Sequence, residues 1–106
     1  MPSLFAISML IVALSIRSPV QEPDGKAVYD VHCRKCHGAT GRPTAAMKKL
    51  LPELPVFDAS FFAQRSDDQL VEVITTGKGK NMKPLRDVLK PEEMRAVAKY
   101  IRTLTP

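Results

Sequence analysis

The most regular pattern of apolar and polar positions lies near the C-terminus. Apolar residues recur there at helical spacing, at Met94, Val97, Ala98, Ile101 and Leu104. Three of the positions between them are cationic, at Arg95, Lys99 and Arg102, and give the helix a solvent-facing side. Pro91 suits the first position of a helix, and the two glutamates after it complement the positive end of the helix dipole. We therefore predict a helix that begins at Pro91.

A second helix is predicted from Ser66 onwards. Ser66 is a favourable N-cap, and Gln69 follows three residues later, as in a capping box. Leu70, Val73 and Ile74 form its predicted inner face, and Gly77 ends it.

The remaining chain shows one more helix and a large share of irregular structure. Residues Lys26 to Cys36 have helix-compatible spacing, with Asp24 as N-cap and an end near Gly38. Glycines and prolines interrupt residues 39–55, which leaves room for at most a short helix over Thr44–Leu51. Residues 57–62 are predicted to form an irregular apolar patch, and residues 77–90 a loop. No alternating strand pattern and no internal repeat is present in the sequence.

The predicted fold class is therefore all-α, with three to four short helices joined by long irregular loops. The chain has 106 residues, no tryptophan, four phenylalanines and two tyrosines. A domain of this size buries only about 60% of its unfolded surface and often needs a cofactor, metal or disulfide. Long loops are uncommon in a bare small domain, so we expect them to pack onto a bulky apolar group.

An apolar segment, Leu4 to Ile16, precedes the predicted domain. It is too short to span a bilayer and matches the apolar core of a secretory signal. We expect residues 1–20 to be an export signal that is cleaved off, or an N-terminal anchor, and residues 21–106 to form the domain. The alternative is a buried N-terminal helix of the domain. Export predicts a periplasmic location, where free thiol pairs become oxidised.

The chain is basic, with a formal net charge of +5. Nucleic-acid binding expects a basic helix or a basic surface with aromatic residues for stacking, and the sequence has neither. The charge therefore favours an acidic protein partner.

The candidate chemistry lies in the stretch VHCRKCHGATG. Cys33 and Cys36, the only cysteines, are three residues apart, and His37 follows at once. On a helix the two sulfurs lie one turn apart on nearly the same side, which suits two thioether bonds to one haem. The imidazole of His37 is then able to reach the iron, and CxxCH is typical of c-type haem attachment. His32 is expected to be an exposed or edge residue.

Three other uses of these cysteines stay open at this point. A thioredoxin-like redox pair requires a preceding strand, and none is predicted before Val31. A structural zinc site requires four ligands, usually from two separated pairs, whereas all the candidate ligands lie within one turn here. A disulfide between Cys33 and Cys36 would close a very short loop and add little stability.

Three segments together resemble the class I monohaem cytochrome c family. They are GKAVYDVHCRKCHGATG, SDDQLVEVITTGKGKNMKPL and LKPEEMRAVAKYIRTL, which span nearly all of residues 24–105. The resemblance implies a small cytochrome c fold around one covalent haem c, with the first and last helices crossing near Gly25 and Tyr100. It also implies that a methionine from a downstream loop binds the iron opposite His37. The sequence departs from the family pattern at two positions. Lys83 separates Met82 from Pro84, whereas the family's methionine usually precedes a proline, and Lys90 replaces the usual Ser or Thr cap of the last helix.

Met82 is the methionine that best fits this second axial position. Met94 belongs to the apolar stripe of the last helix, and Met47 lies in the possible short helix, where a methionine fills gaps. Met82 instead lies on a loop of polar and cationic residues, where an apolar side chain is unusual. Coordination to iron would explain its presence there. His/Met ligation suits a one-electron carrier.

The resemblance implies an electron carrier rather than an enzyme. Cations gather around the Met82 loop, at Lys78, Lys80, Lys83, Arg86 and Lys90, and are expected to steer acidic redox partners. Alternatives are a cytochrome c subunit docked permanently on a dehydrogenase or oxidase complex, or a haem peroxidase, which would need an open iron position.

Overall fold

The computed structural model describes residues 2–3, 9–15 and 22–106, and the domain within them is helical. The helices are α1 (Gly25–His32), α2 (Arg34–His37), α3 (Ala45–Leu50), α4 (Ala59–Ala63), α5 (Asp67–Thr76) and α6 (Pro91–Ile101). Over the described residues, the β-structure is limited to one isolated bridge between Lys78 and Met82. The predicted all-α class is confirmed.

Two differences from the predicted helices raise their number from the expected three to four to the six observed in the described residues. The helix predicted over residues 26–36 is divided at Cys33, whose backbone angles (φ −121°, ψ −39°) depart from helical values. The prediction that residues 57–62 have irregular structure is wrong, because residues 59–63 form the helix α4. The reason is a cap: the carboxylate of Asp58 accepts a hydrogen bond from the backbone N–H of Phe61 at 2.9 Å.

The predicted helix starts of α5 and α6 are observed. Ser66 and Gln69 form the reciprocal capping box, with both side-chain to backbone hydrogen bonds present. Pro91 is the first residue of α6, and the carboxylate of Glu93 accepts a hydrogen bond from the backbone N–H of Lys90. The N-cap residue Lys90 has no hydroxyl or carboxylate to cap the helix, but Glu93 provides an acceptor for the backbone N–H of Lys90.

The core forms where α1 and α5 pack against α6. A Cβ at Gly25 would collide with the backbone of Ala96 and approach Cβ of Tyr100 to 2.9 Å, so only glycine allows α1 to come this close. This is the crossing that the family resemblance implied. The hydrophobic core among the described residues consists of Val28, Tyr29, Phe57, Leu70, Ile74, Leu89, Met94, Val97, Ala98 and Ile101. Val73, predicted to face inwards, is only half-buried.

The N-terminal prediction is only partly within the described residues. Residues 9–15 have no regular structure and are exposed, with Met9, Leu10 and Ile11 each at least 86% accessible. Residues 4–8 and 16–21 lie outside the described ranges, and export stays a prediction. Every helix within the described ranges is too short or too polar to cross a bilayer.

Candidate functional site

The CxxCH motif occupies the junction of α1 and α2. Cys33 ends the first helix and precedes the second, which contains Cys36 and His37. The backbone carbonyl of Cys33 accepts hydrogen bonds from the N–H groups of Cys36 (3.3 Å) and His37 (3.0 Å), which closes one compact turn. Both thiols are free and half-buried. The structure therefore brings the three predicted motif residues together on one turn, as expected from their spacing.

The thiol of Cys33 is poorly suited to redox exchange. Burial, and to a smaller extent the neighbouring Cys36, raise its pKa to about 11. Cysteines that exchange disulfides have lowered pKa values, because the thiolate is the nucleophile. The thioredoxin-like alternative is disfavoured by this and by the helix, rather than a strand, that precedes the motif in the described residues. A zinc site is disfavoured too, since no cluster of three or more His, Cys, Asp or Glu residues is assembled anywhere in the described ranges.

The imidazole of His37 is held in an apolar environment. Its ring stacks on Phe57, with ring centroids 4.8 Å apart and an interplanar angle of 20°. Burial lowers the pKa of His37 below its usual value, so the ring is neutral at pH 7. Its Nδ1 atom is buried, and no hydrogen-bond partner for it exists among the described residues. A neutral imidazole is the form that binds a metal.

The segment after the motif is tied to the core by Tyr29. This fully buried side chain donates a hydrogen bond of 2.6 Å from its hydroxyl to the carbonyl of Gly38. Its ring also contacts Tyr100 of α6, at a centroid distance of 5.4 Å. The motif turn is thus fixed to the α1–α6 crossing. By contrast His32 is exposed, as predicted.

Met82 lies at the end of a tight loop that begins at Gly77. The backbone N–H of Lys78 donates to the carbonyl of Met82 (2.8 Å), and the reverse bond measures 3.3 Å. The N–H of Leu85 donates to the carbonyl of Ile74, which fastens the loop to α5. The Met82 side chain is half-buried and packs against the same buried cluster that Cys33 contacts. A side chain on a cationic loop is therefore turned towards the interior.

Gly77 is expected to be essential to this loop. Its backbone (φ 74°, ψ 178°) lies in a region that is almost restricted to glycine, and an added Cβ would collide with the backbone of Met82 and Pro84. We predict that Gly77→Ala lowers the free energy of unfolding by about 2 kcal/mol or more, measured by urea denaturation. Gly79→Ala is the matched control, because its φ is also positive (61°) but its Cβ would meet open space. We expect it to cost about 1 kcal/mol. Equal losses in the two variants would contradict the role of the close contact at Gly77.

An aromatic cluster beside His37 was not predicted as part of the site. Phe57 contacts Phe61 and Phe62 as well as His37. The guanidinium groups of Arg65 and Arg102 lie over two of these rings, at 4.0 Å from the Phe61 centroid and 5.1 Å from that of Phe62. The only sequence signal for the cluster was the apolar composition of residues 57–62.

The cations around the Met82 loop are all exposed. They are Lys78, Lys80, Lys83, Arg86 and Lys90. The three ion pairs found in the described part of the chain involve none of them. Their charge is therefore directed to solvent and is free to act on other molecules.

Comparison with known proteins agrees with this geometry. A solved structure titled KustC0563 c-type cytochrome is 36% identical, with a TM-score of 0.68 over 76% of this chain and 95% of that chain. A second, of a tyrosine-to-phenylalanine mutant of Kustc0563, is 33% identical, with a TM-score of 0.69 over 78% of this chain and 100% of that chain. Fold and motif together define a c-type cytochrome domain. A search of curated proteins gave no match.

A family model described as cytochrome c oxidase, cbb3-type, subunit III, matches residues 20–101. The chain belongs to this family of cytochrome c domains, and the resemblance seen in the sequence is confirmed. Membership implies a covalent haem c, electron transport and redox partners. Cytochromes c are typically electron carriers rather than enzymes.

Proposed function

We propose that the chain is a one-electron carrier that holds one haem c through Cys33 and Cys36, with His37 and Met82 as axial ligands. The observation that carries the proposal is His37: its imidazole stacks on Phe57 and lies on the same turn as Cys33 and Cys36. When bound, the haem would supply an iron that cycles between its ferric and ferrous states. The protein's part is to attach, orient and shield this group.

Each proposed residue fits its role by an independent property. The two thiols are close in space because one turn of backbone hydrogen bonds joins Cys33 to Cys36 and His37. Met82 is apolar, half-buried and fixed by two backbone hydrogen bonds to Lys78. A thioether ligand favours the ferrous state and raises the reduction potential, which suits a carrier. Occupation of both axial positions would leave no open iron position for a peroxidase.

A permanently docked subunit is the second candidate. The description of the matching family model, which names an oxidase subunit, favours it. The electron-carrying chemistry would be the same in both cases. Gel filtration of the native membrane and soluble fractions distinguishes the two candidates. A free carrier elutes at the size of one chain, whereas a docked subunit elutes with its complex.

A potentiometric titration of the purified holoprotein tests the proposed chemistry. We expect a single reversible transition that follows the Nernst equation for one electron, and no acceleration of hydrogen peroxide consumption. The reason is that one haem with two protein ligands exchanges one electron and binds no further ligand. Rapid peroxide turnover would reject the carrier in favour of the enzyme.

We further propose that the cationic loop steers acidic redox partners towards the haem. Lys80→Glu/Lys83→Glu is expected to slow oxidation by the anion ferricyanide about tenfold at low ionic strength, measured by stopped flow, with the difference disappearing in high salt. Lys49→Glu/Lys99→Glu is the control, since it alters the net charge equally at exposed positions on α3 and α6. Equal slowing in both variants would show that only net charge matters.

A further inference from the structure

We propose that Phe57 is a positioning residue for His37: its flat face fixes the plane of the imidazole. The inference rests on the proposed role of His37 as an iron ligand. It adds a residue from outside the CxxCH motif and the Met82 loop.

The geometry of the Phe57 contacts distinguishes the His37 pair from the rest. The rings of His37 and Phe57 are nearly parallel, at 20°, whereas Phe57 meets Phe61 at 45° and Phe62 at 38°. The centroid distance of 4.8 Å lies within the range of attractive ring stacking. Rotation of the imidazole about its Cβ–Cγ bond would break this parallel contact.

The described residues offer the His37 ring a stacking partner but no hydrogen-bond acceptor for Nδ1. A metal-bound histidine usually donates its second ring N–H to a carboxylate, carbonyl or water, which fixes the ring and makes the ligand more basic. Nδ1 of His37 is buried without such a partner among the described residues. The ring orientation therefore depends on packing.

Phe57 is itself rigidly supported. Its side chain is only 6% exposed, and its backbone N–H donates to the carbonyl of Gly41 at 2.9 Å. The next residue, Asp58, caps α4, whose Phe61 and Phe62 pack against Phe57. The polypeptide on both sides of Phe57 is thus fixed, and this allows the ring to act as a support for its neighbour.

Two-dimensional NMR of the reduced, diamagnetic wild-type holoprotein is the first test. We expect nuclear Overhauser effects between the ring protons of Phe57 and those of His37, which require the two rings to stay in contact. Their absence would overturn the inference. The measurement uses no variant and so does not depend on how well a substituted protein folds.

The second test compares Phe57→Leu with Phe57→Tyr. Phe57→Leu keeps an apolar side chain but removes the flat face, so we expect altered g values in the electron paramagnetic resonance spectrum of the oxidised protein and an altered pattern of haem methyl shifts. Phe57→Tyr keeps a flat ring against His37 and is expected to retain both signatures of the wild type. Unchanged signatures in Phe57→Leu, or equal changes in the two variants, would contradict the inference.

Failure of the proposed function would be visible elsewhere. If His37 were not an iron ligand, the wild-type spectrum itself would lack histidine ligation. Failure of the present inference instead leaves the wild-type spectrum intact and appears only in the contacts or the variants.

Discussion

Replacing Cys33 and Cys36 together by alanine is expected to abolish covalent haem binding and with it most of the folded structure. Only ten apolar residues are buried among those described, and the chain has no tryptophan. Without a cofactor such an interior is too small to hold a domain of this size. We expect a loss of at least about 5 kcal/mol, the lower end of the whole stability of a small domain. Far-UV circular dichroism during thermal unfolding measures it.

The matched control for the cysteine variant is His32→Ala. His32 lies next to Cys33 but is exposed, so we expect this variant to mature and melt like the wild type. A cysteine-free variant that still melts cooperatively at the wild-type temperature would show that the polypeptide needs no attached group.

Met82→Ala is expected to lower the reduction potential on the order of 0.1 V, within the ~0.8 V range that axial ligands span. The reason is the loss of a ligand that favours ferrous iron. The same substitution should open the sixth position, so that added cyanide or imidazole binds the oxidised protein much faster. Spectroelectrochemistry measures the potential, and optical titration measures the binding.

Met47→Ala is the control for the ligand assignment. Met47 is also half-buried but lies on α3, where its proposed role is packing alone. It is expected to change stability modestly while leaving the potential and the sixth position as they are. If Met47→Ala moved the potential and Met82→Ala did not, the ligand would have been assigned to the wrong methionine.

The parts of the fold that local chemistry specifies were predictable from the sequence. The capping box at Ser66 and the start of α6 at Pro91 depend on residues within four positions of each other, and both are observed. The crossing of α1 and α6 at Gly25 was available only through the family resemblance, because a missing side chain does not indicate which helix will fill the space. Helix α4 was missed although Asp58 is a favourable N-cap residue. The apolar residues that follow Asp58 were interpreted as an irregular patch instead.

The site was predictable only to the extent that it is a motif. The spacing of Cys33, Cys36 and His37 predicts that they lie on one turn, and this is observed. The stack of Phe57 on His37 was missed because it joins residues twenty positions apart. No sequence pattern indicates which of four phenylalanines will lie flat against an imidazole. Tertiary contacts of this kind require coordinates.

The cofactor and the fold are linked in this chain. The motif turn is held to the α1–α6 crossing by Tyr29, and the Met82 loop is fastened to α5 through Leu85. The two proposed axial ligands are therefore attached to different parts of one small core. Binding of a single group between them would stabilise both parts at once, because anything that binds only the folded state stabilises it.

Covalent attachment of one haem to Cys33 and Cys36 is the central claim, and one experiment on the wild-type protein tests it most directly. The protein is matured in an exporting host, and its intact mass is measured together with its pyridine haemochrome spectrum. We predict a mass greater than that of the polypeptide by one haem, a c-type spectrum and no titratable thiol. A colourless, compact and cooperatively melting protein in which both thiols react would contradict the claim.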